Sequence, residues 1–372
     1  MDVPTTMRAA FRTEYGDYSV LDVEDVPVPE PGSGELLIKV MASSVNKGDQ
    51  LVLRGEPWMM RLMTGCCGGG PKKRGVGQDY AGQVVQVGPD VDEFEVGDAV
   101  FGEATFGETM AEFAVVKAAG AAAKPSSLTF AQAAALPVAG ATAYKGLVEV
   151  AGITRGDRVC VVGGSGSVGP YAVMIAKALG AAHVTAVVHS RNASWVKSIG
   201  ADTVFAYDKK KTYIESDFVY DIMFDVVRSH SVRANCRLIE SDGTYLIVGG
   251  GKGKCLGGTC GLLCNVTCVS CCCTRPAVKA LISTTTREQL EALGELADAG
   301  SLTPQISASF DLEDVADAYN HADAGRPAAK VVVLMCDQPD RSPPLIGAAN
   351  SATDSASTTS SITSASSSSY GA

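Results

Sequence analysis

Short apolar runs separated by glycine and proline fill the first third of the chain. Three of them read ELLIKVMASSV, AGQVVQVG and MAEFAVVKAAG. Runs of this length with turn residues between them are typical of β-strands joined by tight turns. The pattern over residues 7–125 therefore predicts a compact, largely antiparallel barrel.

After Pro125 the apolar positions change their spacing. FAQAAALPVAGATAYKGLVEVAG has helical spacing, and the Ser and Thr residues just before it are typical helix caps. Strands without polar interruption then alternate with amphipathic helices, and these strands read RVCVVGG, HVTAVVH, YDIMFDVV and GTYLIVGG. Such strands are buried on both faces, so they predict a doubly wound parallel sheet covered by helices on each side.

The last part of the chain returns to helices and one strand before it loses its apolar pattern. REQLEALGELADAG and SFDLEDVADAYNHADAG each predict a helix, and KVVVLM predicts a final strand. Beyond Met335 the residues are mostly Ser, Thr, Ala and Gly, which cannot bury a core. We predict a barrel domain at 7–128, an α/β domain at 129–283, a C-terminal return to the barrel domain at 284–336 and a disordered tail at 337–372.

Composition narrows the classes of protein that remain. The 372 residues carry a net charge of −10 without a basic stripe, which argues against a nucleic-acid partner. The opening MDVPTTMRAAFRTEYG lacks the regions of a secretory signal, and no apolar run approaches the roughly 20 residues of a membrane span. We expect a soluble cytoplasmic protein without disulfides, with a plastid or mitochondrial location left open.

A glycine-rich turn follows the first strand of the α/β domain and precedes a helix. The segment Gly164-Ser165-Gly166-Ser167-Val168-Gly169 matches G-x-G-x-x-G in the strand and helix context that a dinucleotide site requires. In this motif the first glycine permits the tight turn, the second lets the backbone approach a pyrophosphate, and the third allows close helix–strand packing. A glycine-rich turn without a ligand is the alternative.

The tip of the next strand indicates which dinucleotide binds. It reads VVHSRN, with Ser190 and Arg191 where an NAD site usually carries an acid for the ribose 2′-hydroxyl. Asp202 lies too far downstream to serve as that acid. Charge-assisted hydrogen bonds to a 2′-phosphate contribute ~1.5–3 kcal/mol, which predicts a preference for NADPH of about tenfold to a hundredfold. The alternative for Arg191 is a solvated residue at a helix start.

These motifs together give the chain a family resemblance. From about Met7 to Met335 it resembles the medium-chain dehydrogenase/reductase superfamily, in its zinc-independent quinone oxidoreductase and enoyl reductase branch. The resemblance implies a GroES-like β-barrel catalytic domain and a Rossmann domain with a doubly wound parallel sheet. It rests on SVNKGD, GVGQDYAGQVVQVGPDV, GDAVFG, AALPVAGATAY, GGSGSVG, AVMIAKALGA, RNASWVKSIGAD and KVVVL.

The zinc ligands of the alcohol dehydrogenase branch are missing from this sequence. Its GHE motif is replaced by Gly77-Gln78-Asp79, and its early cysteine region reads Ser44-Val45-Asn46-Lys47. No cysteine lies between Cys67 and Cys160, where that branch carries a structural zinc lobe. We therefore expect no metal cofactor, because zinc needs nitrogen and sulfur donors that these positions do not offer.

Seven of the twelve cysteines lie between Lys254 and Thr274. Cys260, Cys264, Cys268 and Cys272 recur every four residues, which is typical of one buried helical face. The resemblance places this segment beside a strand that often pairs two subunits, so we expect core packing or the edge of a homodimer. A redox site or a fortuitous metal site is the alternative.

The resemblance also implies roles for single residues around the reacting centre. Asn46 stands where the branch keeps a polar residue beside the substrate carbonyl, and ordinary loop hydrogen bonding is its alternative. Many relatives have a tyrosine where Leu51 stands, which puts that contact of the branch in doubt. The other implied contacts are Thr142 with the nicotinamide carboxamide, Val248, Gly249 and Gly250 with the ring, and Tyr207, otherwise a surface residue, with the adenosine phosphate.

The function expected from these residues is an NADPH-dependent oxidoreductase. Without zinc to polarise an isolated carbonyl, the acceptor is expected to be a small electrophile such as a quinone or an α,β-unsaturated carbonyl. Two alternatives stay open at this point. One is a zinc-free enzyme similar to alcohol dehydrogenases, and the other is an NADPH-binding scaffold or regulator with little turnover.

Overall fold

The computed structural model describes residues 3–56, 61, 75–104, 107–209, 212–249, 276–281, 284–323 and 328–335. Several predictions fall outside these ranges. They concern the cysteine segment, Gly250 and the tail at 337–372. The glycine-rich turn, Asn46 and the final strand all lie within the described part of the chain.

A six-stranded parallel sheet forms the middle of the chain, as the uninterrupted apolar strands predicted. Its strand order is β10-β9-β8-β11-β12-β13, and every neighbouring pair is parallel. The chain crosses from β8 to β9 on one side and returns past β8 to β11, which is the doubly wound order. The strands are β8 (Arg158–Val162), β9 (His183–Val188), β10 (Thr203–Ala206), β11 (Tyr220–Asp225), β12 (Ile239–Val248) and β13 (Ala277–Leu281).

A second sheet, seven-stranded, forms the barrel that the first third of the sequence predicted. Its order is β14-β15-β3-β4-β5-β7 with β6 also on β3, and its pairs are antiparallel except for β14 with β15. A separate hairpin, β1 with β2, lies beside it. The strands are β1 (Thr6–Arg12), β2 (Leu21–Pro27), β3 (Glu35–Ser44), β4 (Asp79–Val87), β5 (Ala99–Glu103), β6 (Phe113–Lys117), β7 (Ala121–Ala123), β14 (Ile306–Asp311) and β15 (Lys330–Leu334).

The helices follow from apolar spacing and from their capping residues. Thr286, for example, accepts from the backbone N–H of Gln289 and begins α7. The helices are α1 (Lys47–Arg54), α2 (Phe130–Ala134), α3 (Pro137–Tyr144), α4 (Gly169–Ala178), α5 (Ala193–Ser198), α6 (Val232–Cys236), α7 (Arg287–Asp298) and α8 (Val315–Asp323). Short 3₁₀ turns cover Tyr18–Val20, Ala118–Gly120, Ser190–Asn192, Tyr213–Glu215 and Leu312–Asp314, and a π-helical turn, Lys145–Ala151, extends α3.

Two helix predictions need correction. The helical segment that begins at residue 130 is divided into α2 and α3, because Pro137 has no N–H to continue the helical hydrogen bonds. The second C-terminal helix does not begin at Ser309. Residues Ser309–Asp311 belong to β14, where Ser309 and Phe310 pair with β15, and the helix begins at Val315 after a 3₁₀ turn.

The final strand, β15, pairs with β3 from the first part of the chain. β15 runs antiparallel to β3, with Val332 opposite Ser44 and Leu334 opposite Ala42. This pairing places Lys330, the first residue of β15, beside the loop that follows β3. That loop contains Asn46, so the last strand brings Lys330 to the predicted catalytic residue.

Candidate active site

A buried carboxylate lies at the centre of the polar residues around Asn46. Asp79, the first residue of β4, is fully buried, and its Oδ2 accepts from Ser44 Oγ at 2.5 Å and from Asn46 Nδ2 at 2.9 Å. Its Oδ1 accepts from the backbone N–H of Val138 in α3 at 3.0 Å. The ammonium of Lys330, also fully buried, lies 3.1 Å from Oδ2 and balances the charge. We call these side chains, Ser44, Asn46, Asp79 and Lys330, the Asp79 cluster.

Within the Asp79 cluster the side chain of Asn46 is held at both ends. Lys330 donates to Asn46 Oδ1 at 2.6 Å, while Asn46 Nδ2 donates to Asp79 Oδ2 at 2.9 Å. An amide carries two N–H donors, and the second one has no acceptor in the described part of the chain. The cluster therefore fixes which atom of the amide is the nitrogen and leaves one donor for another molecule.

Asp49 adds a second buried carboxyl group next to the Asp79 cluster. It lies in the first turn of α1, and its Oδ2 accepts from the backbone N–H of Asn46 at 2.8 Å. Burial raises the pKa of Asp49 to about 8, and the nearby negative charge of Asp79 adds to this rise. At neutral pH the group is therefore largely protonated, and it ionises as the pH passes about 8.

Replacing Asp49 with asparagine should remove a pH dependence of stability. The folded-state pKa of about 8 is above the unfolded value, so the folded state binds more protons between roughly pH 4 and 8. The free energy of unfolding of the wild type should then fall as the pH rises through this window. The D49N variant should gain at least about 1 kcal/mol relative to the wild type between pH 5 and 8. Urea titrations at several pH values measure this, and parallel pH profiles would contradict it.

The glycine-rich turn has the shape and the free donors of an anion site. A β-carbon on Gly169 would lie 2.2 Å from the carbonyl oxygen of Gly163, so α4 packs against the turn as predicted. Among the described residues, no atom lies closer than 3.6 Å to a β-carbon placed on Gly166, which leaves room there for a ligand. The backbone N–H groups of Ser165, Ser167 and Val168 have no acceptor among the described residues. These features fit the pyrophosphate of a dinucleotide.

The tight turn itself is made by a residue that the motif does not include. Gly163 has φ +92°, a conformation that favours glycine, whereas Gly164 does not lie in that region. A β-carbon on Gly164 would lie 2.9 Å from Cβ of Ala186 in β9, so this glycine is needed for packing instead. The role of making the tight turn, which the motif gives to Gly164, therefore belongs to Gly163.

Hydrogen bonds tie the glycine-rich turn to the Asp79 cluster. The backbone N–H of Ala329 donates to the carbonyl oxygen of Ser165 at 2.9 Å, and the next residue is Lys330. Ala329 is buried and has φ +66°, which is uncommon for a residue with a side chain. On the other side of the turn, Ser165 Oγ accepts from Asn192 Nδ2 at 3.1 Å.

One pocket, of about 80 Å³, lies between the barrel and the glycine-rich turn. Asn46 and Ser167 both line it, so the structure brings the predicted catalytic residue next to the predicted cofactor turn. Asp323 closes one side through ion pairs with Lys47 at 3.1 Å and Arg54 at 2.6 Å. The lining among the described residues is Val45, Asn46, Lys47, Gln50, Ser167, Ala322, Asp323, Ala329 and Val331.

The described residues that are predicted to contact the nicotinamide do not line this pocket. Thr142 is 8% exposed in α3, and its hydroxyl donates to the carbonyl oxygen of Val138 at 2.6 Å. Its oxygen can therefore accept, but not donate, a further hydrogen bond to a carboxamide. Val248 ends β12, and Gly249 follows with φ +80°; no atom of the described residues lies within 4 Å of a β-carbon placed on it.

The predicted phosphate residues come together at the tip of β9. The backbone N–H of Tyr207 donates to the carbonyl oxygen of Val188 at 3.0 Å, and the Tyr207 ring lies 5.6 Å from that of His189. Ser190 and Arg191 belong to the 3₁₀ turn that follows β9. Asp202 is elsewhere, since its carboxylate accepts from the N–H of Val184 near the start of β9.

Comparisons with known proteins add the family. An alcohol dehydrogenase GroES-like domain model matches residues 32–126, and a zinc-binding dehydrogenase model matches residues 199–333. A 2-methylene-furan-3-one reductase of Solanum lycopersicum is 30% identical over 346 residues, which are 90% of this chain and 80% of that protein. The chain belongs to the medium-chain dehydrogenase/reductase superfamily. Its branch is that of the zinc-independent quinone oxidoreductases and enoyl reductases.

Two further relatives place this medium-chain oxidoreductase more closely. An NADPH-dependent alkenal/one oxidoreductase of Arabidopsis thaliana is 29% identical over 344 residues, 89% of this chain and 80% of that protein. The solved structure of a quinone oxidoreductase from Coxiella burnetii matches with a TM-score of 0.76 and 25% identity. That match covers 89% of this chain and 100% of the other. The fold predicted from the sequence is confirmed, and the chain is an enzyme with a nicotinamide cofactor.

Two absences hold for the described ranges of the oxidoreductase. No helix there combines the length and apolar character needed to cross a membrane. No group of three His, Cys, Asp or Glu side chains there is arranged to hold a metal ion. That this medium-chain oxidoreductase works without zinc stays a prediction from the residues at the ligand positions.

Sequence reasoning missed most of the Asp79 cluster and one acid beside the tip of β9. In the sequence, Asp79 stands at a replaced position of the zinc motif, and Lys330 is the first residue of an apolar strand. The available signal was a charge at the end of each strand, in DYAGQVVQV and KVVVL, because buried strands seldom carry an unpaired charge. The missed acid is Asp208, which accepts from Ser190 Oγ at 2.6 Å.

Proposed function

We propose that the oxidoreductase uses NADPH to reduce the conjugated double bond or ring of quinones and α,β-unsaturated carbonyls. The observation that carries this proposal is the pocket lined by both Asn46 and Ser167. It brings one amide donor of the barrel to the turn whose open N–H groups fit a pyrophosphate. The names of the relatives, which include an alkenal/one oxidoreductase and a quinone oxidoreductase, support the same substrate class.

The chemistry of Asn46 explains the choice of acceptor. The nicotinamide, when bound, supplies the hydride. In a conjugated acceptor the arriving negative charge spreads onto the carbonyl oxygen, where one fixed hydrogen-bond donor stabilises it. One N–H donor of Asn46 has no acceptor among the described residues, and Lys330 and Asp79 prevent the amide from turning away. The amide is 5% exposed, so the contact forms in a largely water-free place, where it is stronger.

Thr142 and the residues after β12 are proposed to hold the nicotinamide, and the turn from Gly164 to Gly169 the pyrophosphate. Ser190, Arg191 and Tyr207 are proposed to bind the 2′-phosphate of NADPH. Arg191 after β9 and Tyr207 after β10 are both exposed, which supports this, as does the cofactor named for the Arabidopsis relative. Assembly as a homodimer and a cytoplasmic or organellar location remain predictions.

The test is steady-state consumption of the cofactor with a small panel of acceptors. We expect oxidation of NADPH with 2-alkenals and quinones, slower oxidation of NADH, and negligible reduction of NADP⁺ by ethanol. Saturated aldehydes of the same length serve as controls, because they lack the conjugated bond. Rapid alcohol oxidation would indicate an alcohol dehydrogenase instead. NADPH binding without turnover on any acceptor would indicate a scaffold.

A further inference from the structure

The end of β10 brings a carboxylate onto the serine that is proposed to bind the cofactor phosphate. β9 and β10 are parallel, with Val188 opposite Ala206, so the residues two positions later, Ser190 and Asp208, also lie side by side. Asp208 accepts from the Ser190 hydroxyl at 2.6 Å and from its backbone N–H at 2.7 Å. Both donors of Ser190 are therefore already used by a negative charge.

This carboxylate remains charged under ordinary conditions. The hydrogen bonds from Ser190 lower the pKa of Asp208 to about 2, and His189 contributes to the same effect. A histidine ring and a lysine ammonium lie near it. Nδ1 of His189 is 3.9 Å from one carboxylate oxygen, and the Lys209 ammonium is 3.8 Å from the other.

The position of Asp208 affects the two dinucleotides differently. A 2′-phosphate bound at Ser190 would lie a few ångströms from the carboxylate and would be repelled by it. A ribose 2′-hydroxyl would not be repelled and can donate to a carboxylate, as it does to the strand-tip acid of NAD sites. In NAD sites the acid usually lies at the end of the second strand, which is β9 here. In this enzyme an acid that follows the third strand, β10, lies at that place.

We propose that Asp208 sets the cofactor selectivity of this enzyme by limiting its preference for NADPH and allowing NADH to bind. This inference rests on the proposed function, since it assumes that the dinucleotide binds at the tip of β9. Arg191 favours the phosphate, Asp208 opposes it and occupies the donors of Ser190, and the measured preference for NADPH is the difference between these effects.

Replacing Asp208 with asparagine tests the proposal, because asparagine keeps an acceptor for Ser190 and loses the charge. Dissociation constants for NADPH and NADH are measured by quenching of protein fluorescence, with no acceptor present. At low salt the D208N variant should bind NADPH about tenfold more tightly, and near physiological salt about threefold, because exposed charges are screened. Binding of NADH should stay the same or weaken slightly.

Asp202 provides the matched control. Its exposed carboxylate lies just before β10 and pairs with Lys177 at 3.1 Å, near the start of β9 and away from its tip. The D202N variant should leave both dissociation constants within twofold of the wild type. A purely structural role of Asp208 would change the affinity for both dinucleotides equally, and that result would overturn the proposal, as would a ratio changed by less than twofold. Failure of the wild type to bind either dinucleotide would instead refute the proposed function.

Discussion

Replacing Lys330 with methionine should lower the free energy of unfolding by about 3–5 kcal/mol, because it leaves a charged carboxylate buried without its counter-ion. Lys330 and Asp79 both have fully buried side chains, and their charged atoms lie 3.1 Å apart. The three hydrogen bonds that Asp79 accepts from Ser44, Asn46 and Val138 would remain, but neutral donors do not cancel its charge. Methionine has nearly the length of lysine, so packing changes little.

Denaturant unfolding of K330M and of the double variant K330M/D79N measures this effect. The double variant contains no buried charge at this place, so it should recover a large part of the lost stability. Lys209→Met serves as the control, since that side chain is 67% exposed and its loss should change stability by at most about 0.5 kcal/mol. The interpretation is wrong if K330M costs less than about 1 kcal/mol, or if the double variant is no more stable than K330M.

Replacing Asn46 with alanine should slow turnover of the best electrophile by about a hundredfold or more, which corresponds to ~2.7–4 kcal/mol of barrier. The removed amide carries the donor that is proposed to stabilise the acceptor oxygen. The dissociation constant of NADPH should stay within about threefold, because the open N–H groups of the glycine-rich turn are unchanged. Stopped-flow measurement of NADPH oxidation under single-turnover conditions isolates the chemical step from product release.

Loss of stability must be separated from loss of catalysis in this experiment. In N46A, Lys330 keeps its ion pair with Asp79 and its hydrogen bond to the carbonyl oxygen of Val45, so the variant is expected to fold. Asn46→Ser retains a donor at the same place and should recover part of the rate. Asn320→Ala, on the exposed side of α8, is the control for the substitution itself. A rate within threefold of the wild type in N46A would remove Asn46 from the mechanism.

The fold was predictable because its signals are local. Uninterrupted apolar strands, a glycine-rich turn and capped helices such as α7 depend on residues close together in sequence, and the structure contains all three. The boundary between β14 and α8 was not, since SFDLEDVADAYNHADAG has helical spacing throughout. Pairing of Ser309 and Phe310 with β15 overrides that local preference.

The site was less predictable because its main interactions join distant parts of the chain. Asn46 and the glycine-rich turn were identified from motifs, but Lys330 lies 284 residues from Asn46, and no local pattern relates them. Asp208 was missed for a related reason. The residues at the tip of β9 include no acid, because the acid comes from the neighbouring strand, 18 residues later. Aligning β9 with β10 as parallel neighbours, with Val188 opposite Ala206, would have placed Asp208 beside Ser190.

The pairing of β3 with β15 also has a consequence for folding during synthesis on the ribosome. A nascent chain that has reached residue 128 contains β3 to β7 but not β15, so residues 42–44 at the end of β3 still lack the strand that pairs with them. Asp79 is made 251 residues before Lys330 and has no counter-ion during that interval. Since synthesis proceeds at roughly 5–20 residues per second, the interval is on the order of ten seconds or more. The barrel is therefore begun first and completed last, after the sheet that follows it in sequence.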